Sequence, residues 1–262
     1  MNIHFTSKEL FEKLKSATIA KVVVGSNMYG TNTQDSDIDY LLIYATSENE
    51  LLSFIKTHHQ LQYKEDGIDY NFVSLHSFLE NCLSGDSTIN FEVICSPALI
   101  GTELEFLYTN RKSFLTYSVV RSYLGLARRD VKHFFSAKTE SDKIKRLKHT
   151  IRGYIYARDM IAGDFDFSRC NRELLGMEIN HTSSKQINEY GNKISGLRDE
   201  LSYKFNGKTL GLPQHINVTE GIKITDEFLN YCRSNEYKEK RDHLKDFDLS
   251  AFINSFENWV EY

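Results

Sequence analysis

The stretch Val22–Tyr44, VVVGSNMYGTNTQDSDIDYLLIY, decides how the chain is read. An apolar run, Val22-Val23-Val24, stops at Gly25-Ser26; a polar segment follows, and Asp37-Ile38-Asp39 opens a second apolar run through Ile43. The pattern predicts strand, phosphate-binding turn, strand. Side chains alternate between the faces of a strand, so Asp37 and Asp39 point the same way while Ile38, Tyr40 and Leu42 pack behind them. Carboxylates side by side repel unless a cation neutralises them, and an oxygen-only donor set suits Mg²⁺. Gly25 lets the backbone approach a phosphate, and the Ser26 hydroxyl with the amides that follow can hydrogen-bond to it. A lone Asp-x-Asp is usually a solvated turn or a helix cap, and a lone Gly-Ser is usually a loop. Together, eleven residues apart from Gly25 to Ser36 and bracketed by apolar strands, they favour a metal and phosphate site.

Gly25-Ser26, then Tyr29-Gly30, then Asp35-Ser36-Asp37-Ile38-Asp39-Tyr40 resembles the signature of the DNA polymerase beta superfamily of nucleotidyltransferases. The Tyr-Gly pair and the tyrosine after the second aspartate are most similar to the RNA-repair-pathway DNA polymerase beta family. The pattern departs at Met28, where a small residue is usual, and at Leu41, where a basic residue often follows the tyrosine. The resemblance implies an α+β fold: a polymerase-beta-like nucleotidyltransferase domain, with a mixed sheet and flanking helices, followed by a helical domain.

Composition is compatible with that reading. The 262 residues are 40% hydrophobic and 13% aromatic, enough for one large core or two modest ones. No apolar run approaches the ~18 residues that would span a bilayer, and MNIHFTSKEL lacks a signal-peptide core, so the expectation is a cytoplasmic protein without a membrane partner. Cys82, Cys95, Cys170 and Cys232 are scattered without metal or disulfide spacing. A net charge of −4 argues against nonspecific coating of nucleic acid. The charge is uneven, however: Arg128 to Arg152 holds nine Lys or Arg against three acids.

Outward from the central stretch, Ser7 caps a helix over Ser7–Ser16 that precedes the first strand. A second helix is expected from Ser47 to His58, then a hairpin: strand Leu61–Tyr63, turn Lys64-Glu65-Asp66-Gly67, strand Ile68–Ser74. In that last strand Ile68, Tyr70 and Phe72 face the core and leave Asp69 on the other side. By the superfamily arrangement, in which a strand beside the Asp-x-Asp strand carries the third acid, Asp69 is the third carboxylate; Asp66 is the alternative. A helix over His76–Ser84 ends at Gly85. In Asp86–Pro97, DSTINFEVICSP, Glu92 reads as structural rather than catalytic. From about Thr102 the periodicity turns helical, placing a boundary near Asn110: a nucleotidyltransferase domain over 1–110 and a helical domain over 111–262.

In the helix from Ser141 to Ala162, Ile144, Leu147, Ile151, Ile155 and Ile161 form an apolar face. Lys145, Lys148, His149, Arg152 and Tyr156 form a polar stripe. Such stripes are usually solvated, but the resembling family has a His-x-x-Arg helix in the matching region, followed by a glycine turn, which His149, Arg152 and Gly163 fit. Ser183–Phe205, Thr219–Arg233 and Leu249–Trp259 read as further amphipathic helices, with Phe252, Phe256 and Trp259 a packing stripe.

The resemblance thus implies an enzyme that moves a nucleoside monophosphate from a nucleoside triphosphate to an acceptor hydroxyl, releasing pyrophosphate. Asp37, Asp39 and Asp69 would be the catalytic and metal-binding residues for two Mg²⁺ ions, with Mn²⁺ able to substitute. Gly25, Ser26, Tyr29, Gly30, Ser36, Lys148, His149 and Arg152 would bind the nucleotide or acceptor. The acceptor stays open: an RNA end comes first, a protein hydroxyl second, a small molecule third. A noncatalytic nucleotide- or partner-binding module is the reading of another class.

Overall fold

The structure is a computed structural model describing residues 2–4, 6–30, 32, 36–47, 60–85, 87–164, 167, 183–206, 212–213 and 216–245. The helix expected from Ser47 to His58, apart from Ser47 itself, the helix from Leu249 to Trp259, and Asp35, Asp86 and Cys170 lie outside the described residues.

The described strands are β1 (Asn2–His4), β2 (Thr18–Val24), β3 (Ile38–Tyr44), β4 (Gln60–Glu65) and β5 (Ile68–Ser74). They form one mixed sheet in the order β1-β4-β5-β3-β2. β3 runs parallel to β5, and antiparallel pairs β2–β3 and β4–β5 flank it. Alternation gives the sheet two buried faces. Leu42, Tyr44 and Phe72 pack with Leu10, Phe11 and Leu14 of α1 (Lys8–Ser16), while Val22, Val24, Leu41, Ile43 and Val73 face the other helices. Phe11 is the centre of the first layer, stacked on Tyr63 at 4.3 Å and edge-on to Tyr70 at 5.0 Å. Burying an aromatic of this kind contributes roughly 1.5–3 kcal/mol. The expected cap is present: the Ser7 hydroxyl accepts from the Leu10 amide at 3.3 Å.

Three local readings are corrected. Gly25–Tyr29 is not a plain turn but a short helix, α2, closed by Gly30 with φ 65°. The hairpin turn is shorter than expected: β4 continues through Glu65, and only Asp66 (φ 51°) and Gly67 (φ 76°) make the bend. Two consecutive positive φ values are what a two-residue type I′ turn requires, and Asp-Gly is a favoured pair for it. The strand β1 was not expected; at three residues it is too short for a periodic signal.

The other face is covered by α3 (Leu75–Ser84), α4 (Thr88–Ile94), α5 (Glu105–Thr109), α6 (Tyr117–Ser136) and α7 (Glu140–Ile161). α6 and α7 form an antiparallel hairpin that crosses closely at Gly153, where an added Cβ would meet the Tyr123 carbonyl at 3.0 Å. One buried cluster runs from Val24 and Leu41 through Phe91 and Tyr123 to Ile151 and Tyr156. Helices α8 (Ser184–Asn206), α9 (Val218–Cys232) and α10 (Asn235–Asp242) follow. α10 carries almost no apolar periodicity, NEYKEKRD, and is anchored instead by one side chain. That side chain is Tyr237, whose buried hydroxyl accepts from the Thr46 amide at 3.0 Å beyond the end of β3.

Candidate active site

The parallel register of β3 and β5 sets Asp39 opposite Asp69. Residues in register on neighbouring strands, about 4.8 Å apart, point to the same face, so the two carboxylates are neighbours across the ladder. Asp37 lies two residues ahead of Asp39, immediately before β3. The Asn27 side-chain amide donates to the Asp37 carbonyl at 2.9 Å and ties α2 to this lead-in. β2 pairs with β3 at Val24↔Asp39, so Gly25 emerges beside the Asp39 carboxylate. Its φ is 67°, and a Cβ there would stand 2.4 Å from Asp39 Oδ2. Glycine is therefore required both by the left-handed backbone and by the carboxylate against it.

Burial pushes the Asp39 carboxyl above the usual carboxylate range; the charges of Asp69 and then Asp37 push it further, and Lys145 and Lys64 oppose the rise. Negative charge is thus crowded at Asp39. Asp37 and Asp69 share a counter-ion: Lys64 Nζ stands 2.7 Å from Asp37 Oδ2 and 3.3 Å from Asp69 Oδ1. Asp66 is on the exposed turn, away from the Asp39–Asp69 register. Among the described residues, no three His, Cys, Asp or Glu side chains already stand in metal-holding geometry; Asp37 and Asp69 are turned onto Lys64 instead.

The remaining expected site residues fall into two groups. Ser26 is half-buried in α2, Gly30 is its exposed cap, and Ser36 is half-buried just ahead of Asp37, all on the segment that leads to the carboxylates. Tyr29 and Arg152 belong to a buried polar knot. The Tyr29 hydroxyl donates to Glu92 Oε2, the Tyr123 hydroxyl donates to Glu92 Oε1 at 2.9 Å, and the Arg152 guanidinium covers the Tyr29 ring at 3.7 Å. Glu92 is 2% exposed. Burial pushes its carboxyl up, while Arg152 and the two tyrosine hydroxyls pull it back toward the ionised form. Burial, then Glu92, raises the Tyr29 hydroxyl far above its ordinary range, with Asp39 adding to the rise.

On α7, Lys145, His149 and Arg152 share one face at i, i+4 and i+7 spacing. Lys145 is the member whose charge acts on Asp39. His149 lies 3.6 Å from Asp130 of α6, which is fully buried and paired with Arg146 at 3.0 Å. Burial and the charge of Arg152 outweigh Asp130 and hold the imidazole at about 4. The approach to Asp130 is therefore between a neutral ring and an already paired carboxylate, and His149 carries no charge at neutral pH. Lys148 is partly exposed on the same helix.

Sequence reasoning missed Lys64, placed in a turn, and gave Asp130 no role. The signal for Lys64 was present: a two-residue Asp66-Gly67 turn pairs Glu65 with Ile68 and then Lys64 with Asp69. No periodicity announces the Glu92 knot, because its members come from four separate helices.

An alignment of 131 positions that covers 45% of this chain is 26% identical to an uncharacterized 38.9 kDa protein of the nrdC–mobD intergenic region of Enterobacteria phage T4. The match spans 38% of that protein's length. A model of the RNA repair pathway DNA polymerase beta family matches residues 6–164, more than half of the chain and every element that builds the carboxylate face and the knot beneath it. The chain belongs to the RNA repair pathway DNA polymerase beta family.

Proposed function

We propose that this protein is a nucleotidyltransferase that moves a nucleoside monophosphate from a nucleoside triphosphate to a hydroxyl at an RNA end. The observation that carries the reading is the register of Asp39 with Asp69, with Asp37 on the same side and Gly25 pressed against Asp39. The donor set fits a hard divalent cation: oxygen only, carboxylate only, with crowded negative charge that such an ion would relieve. Two Mg²⁺ or Mn²⁺ ions held by Asp37, Asp39 and Asp69 would supply a lowered acceptor pKa and neutralisation of the leaving pyrophosphate.

The chain's own groups do the rest. The acceptor oxygen forms a bond to the α-phosphorus, the bond to pyrophosphate breaks, and Asp69 accepts the acceptor's proton. Ser26 and the backbone of α2 hold the outer phosphates, with Gly30 and Ser36 bounding the segment. Lys145 and Lys148 supply positive charge from α7, and His149 serves as a neutral hydrogen-bonding group. Tyr29, with Arg152 over its ring, fixes the height of α2 and so the place of the phosphates; catalysis is mostly positioning and electrostatics. The division near Asn110 is one of role, carboxylates before it and the basic wall after it, across a shared core.

The test is incubation with each α-labelled nucleoside triphosphate and Mg²⁺, alone, with RNA, and with cell lysate. RNA lengthened by one or more nucleotides with pyrophosphate release is the expected result. Label on a protein or small molecule would change the acceptor and keep the reaction class. No transfer to any of them, with nucleotide still bound, would establish the binding-module reading instead.

A further inference from the structure

We infer that Lys64 is a built-in competitor for the cation at the Asp37–Asp69 pair, an ammonium that must leave both carboxylates before a divalent ion can take them. The inference rests on the metal reading proposed above.

Lys64 is placed there by the backbone rather than by the reach of a long side chain alone. The Asp66–Gly67 bend fixes the β4–β5 register, which sets Lys64 directly opposite Asp69. Alternation then sends Tyr63 to the Phe11 face, where it stacks at 4.3 Å, and Lys64 to the carboxylate face. A slip of one residue would exchange the two and cost the aromatic layer its packing, so the register is specified from both sides. The ammonium donates to Asp37 at 2.7 Å and sits 3.3 Å from Asp69, bridging two acids that the sheet alone would leave repelling. Those oxygens cannot serve Lys64 and a divalent cation from the same direction, and the two cations repel at such range.

The consequence is a coupling between metal and nucleotide. Without nucleotide, an ion must displace Lys64 with nothing to receive it. A triphosphate brings oxygens for the metal and a new partner for the released ammonium, so metal affinity should rise when nucleotide is present. Lys64 thereby biases the site toward the metal–nucleotide complex over the bare ion.

The experiment is a Mn²⁺ titration of the full chain, read by the electron paramagnetic resonance signal of free Mn²⁺, with and without a nonhydrolysable triphosphate. Wild type, Lys64→Met, Lys64→Arg and Asp39→Asn are compared. Lys64→Met should bind Mn²⁺ about tenfold more tightly in the absence of nucleotide, the scale expected for removing one nearby like charge, and the gain from nucleotide should shrink. Lys64→Arg, which keeps the charge, should stay near wild type. Unchanged or weaker Mn²⁺ binding by Lys64→Met, with binding lost in Asp39→Asn, would overturn the role of Lys64 alone. Mn²⁺ binding that Asp39→Asn leaves intact would overturn the metal reading itself, and the inference with it.

Discussion

Two clusters of charge meet at α2, and they use their acids in opposite ways. At the carboxylate face, Asp37, Asp39 and Asp69 crowd together, the side chains of Asp37 and Asp69 are 52% and 36% exposed, and a single lysine bridges two of the three. In the knot below, one glutamate is buried among two tyrosine hydroxyls and a guanidinium, and every neighbour answers its charge. Acids that a fold leaves in excess are available to a ligand; an acid that a fold satisfies is holding the fold. Tyr29 belongs to the same short helix as Gly25, so the two clusters are one unit, with the knot setting the position from which the carboxylate face works.

The largest effect is expected at Glu92. Glu92→Ala would leave two buried hydroxyls and a guanidinium without their shared partner, a change expected to lower stability by about 3–5 kcal/mol, whereas Glu92→Gln should lose less. Urea unfolding of both variants checks this, and a loss below about 1 kcal/mol for Glu92→Ala would mean that the knot holds little. On the other side, Asp69→Asn should cut turnover on the order of a hundredfold with stability nearly intact. Asp66→Asn, on the exposed bend, should leave turnover near wild type. The reverse ranking in steady-state assays would move the third carboxylate to the turn.

Gly25→Ala tests the hinge between the clusters. The added methyl meets Asp39 Oδ2 and demands a left-handed backbone, so a loss of about 1–2 kcal/mol should accompany a fall in turnover of about tenfold, because the carboxylate must move. Thermal melts and initial rates read the two together. The smallest effect is expected at His149. Its imidazole is held at about 4 in the fold, below the unfolded value near 6.5. The unfolded chain therefore binds the extra proton first; the stability contribution is full above pH 6.5 and is lost as pH falls toward 4. His149→Gln should flatten that slope in a series of melts, and an unchanged slope would assign it to other groups.

The carboxylate face was legible because strands write their faces into the sequence two residues at a time. Asp37 and Asp39 show as a pair, and Asp69 shows against Tyr70 and Phe72. Lys64 was missed by an error of turn length, which shifted it out of the strand and hid its partner. Of the knot only Glu92 was legible, as a structural residue, and its partners were not. Tyr29, Glu92, Tyr123 and Arg152 are separated along the chain, and only the crossing of α6 and α7 against α2 and α4 brings them together. The helical stripe of Lys145, Lys148, His149 and Arg152 was visible as a stripe, but its uneven burial was not. The charge of Lys145 acts on Asp39, His149 is driven neutral, and Arg152 is committed to an aromatic ring.

Whether the carboxylate face is kept for a ligand at some expense of the fold is decided by Asp39→Asn, assayed for nucleotide transfer and for thermal stability without metal at pH 7. The Asp39 carboxyl is raised in the folded state, so its ionised form opposes folding once pH exceeds the ordinary carboxylate range. The variant is expected to lose transfer by about a thousandfold while melting at the same temperature or higher. A variant that melts lower and still transfers within tenfold of wild type would instead place Asp39 with Glu92 among the acids that hold the fold.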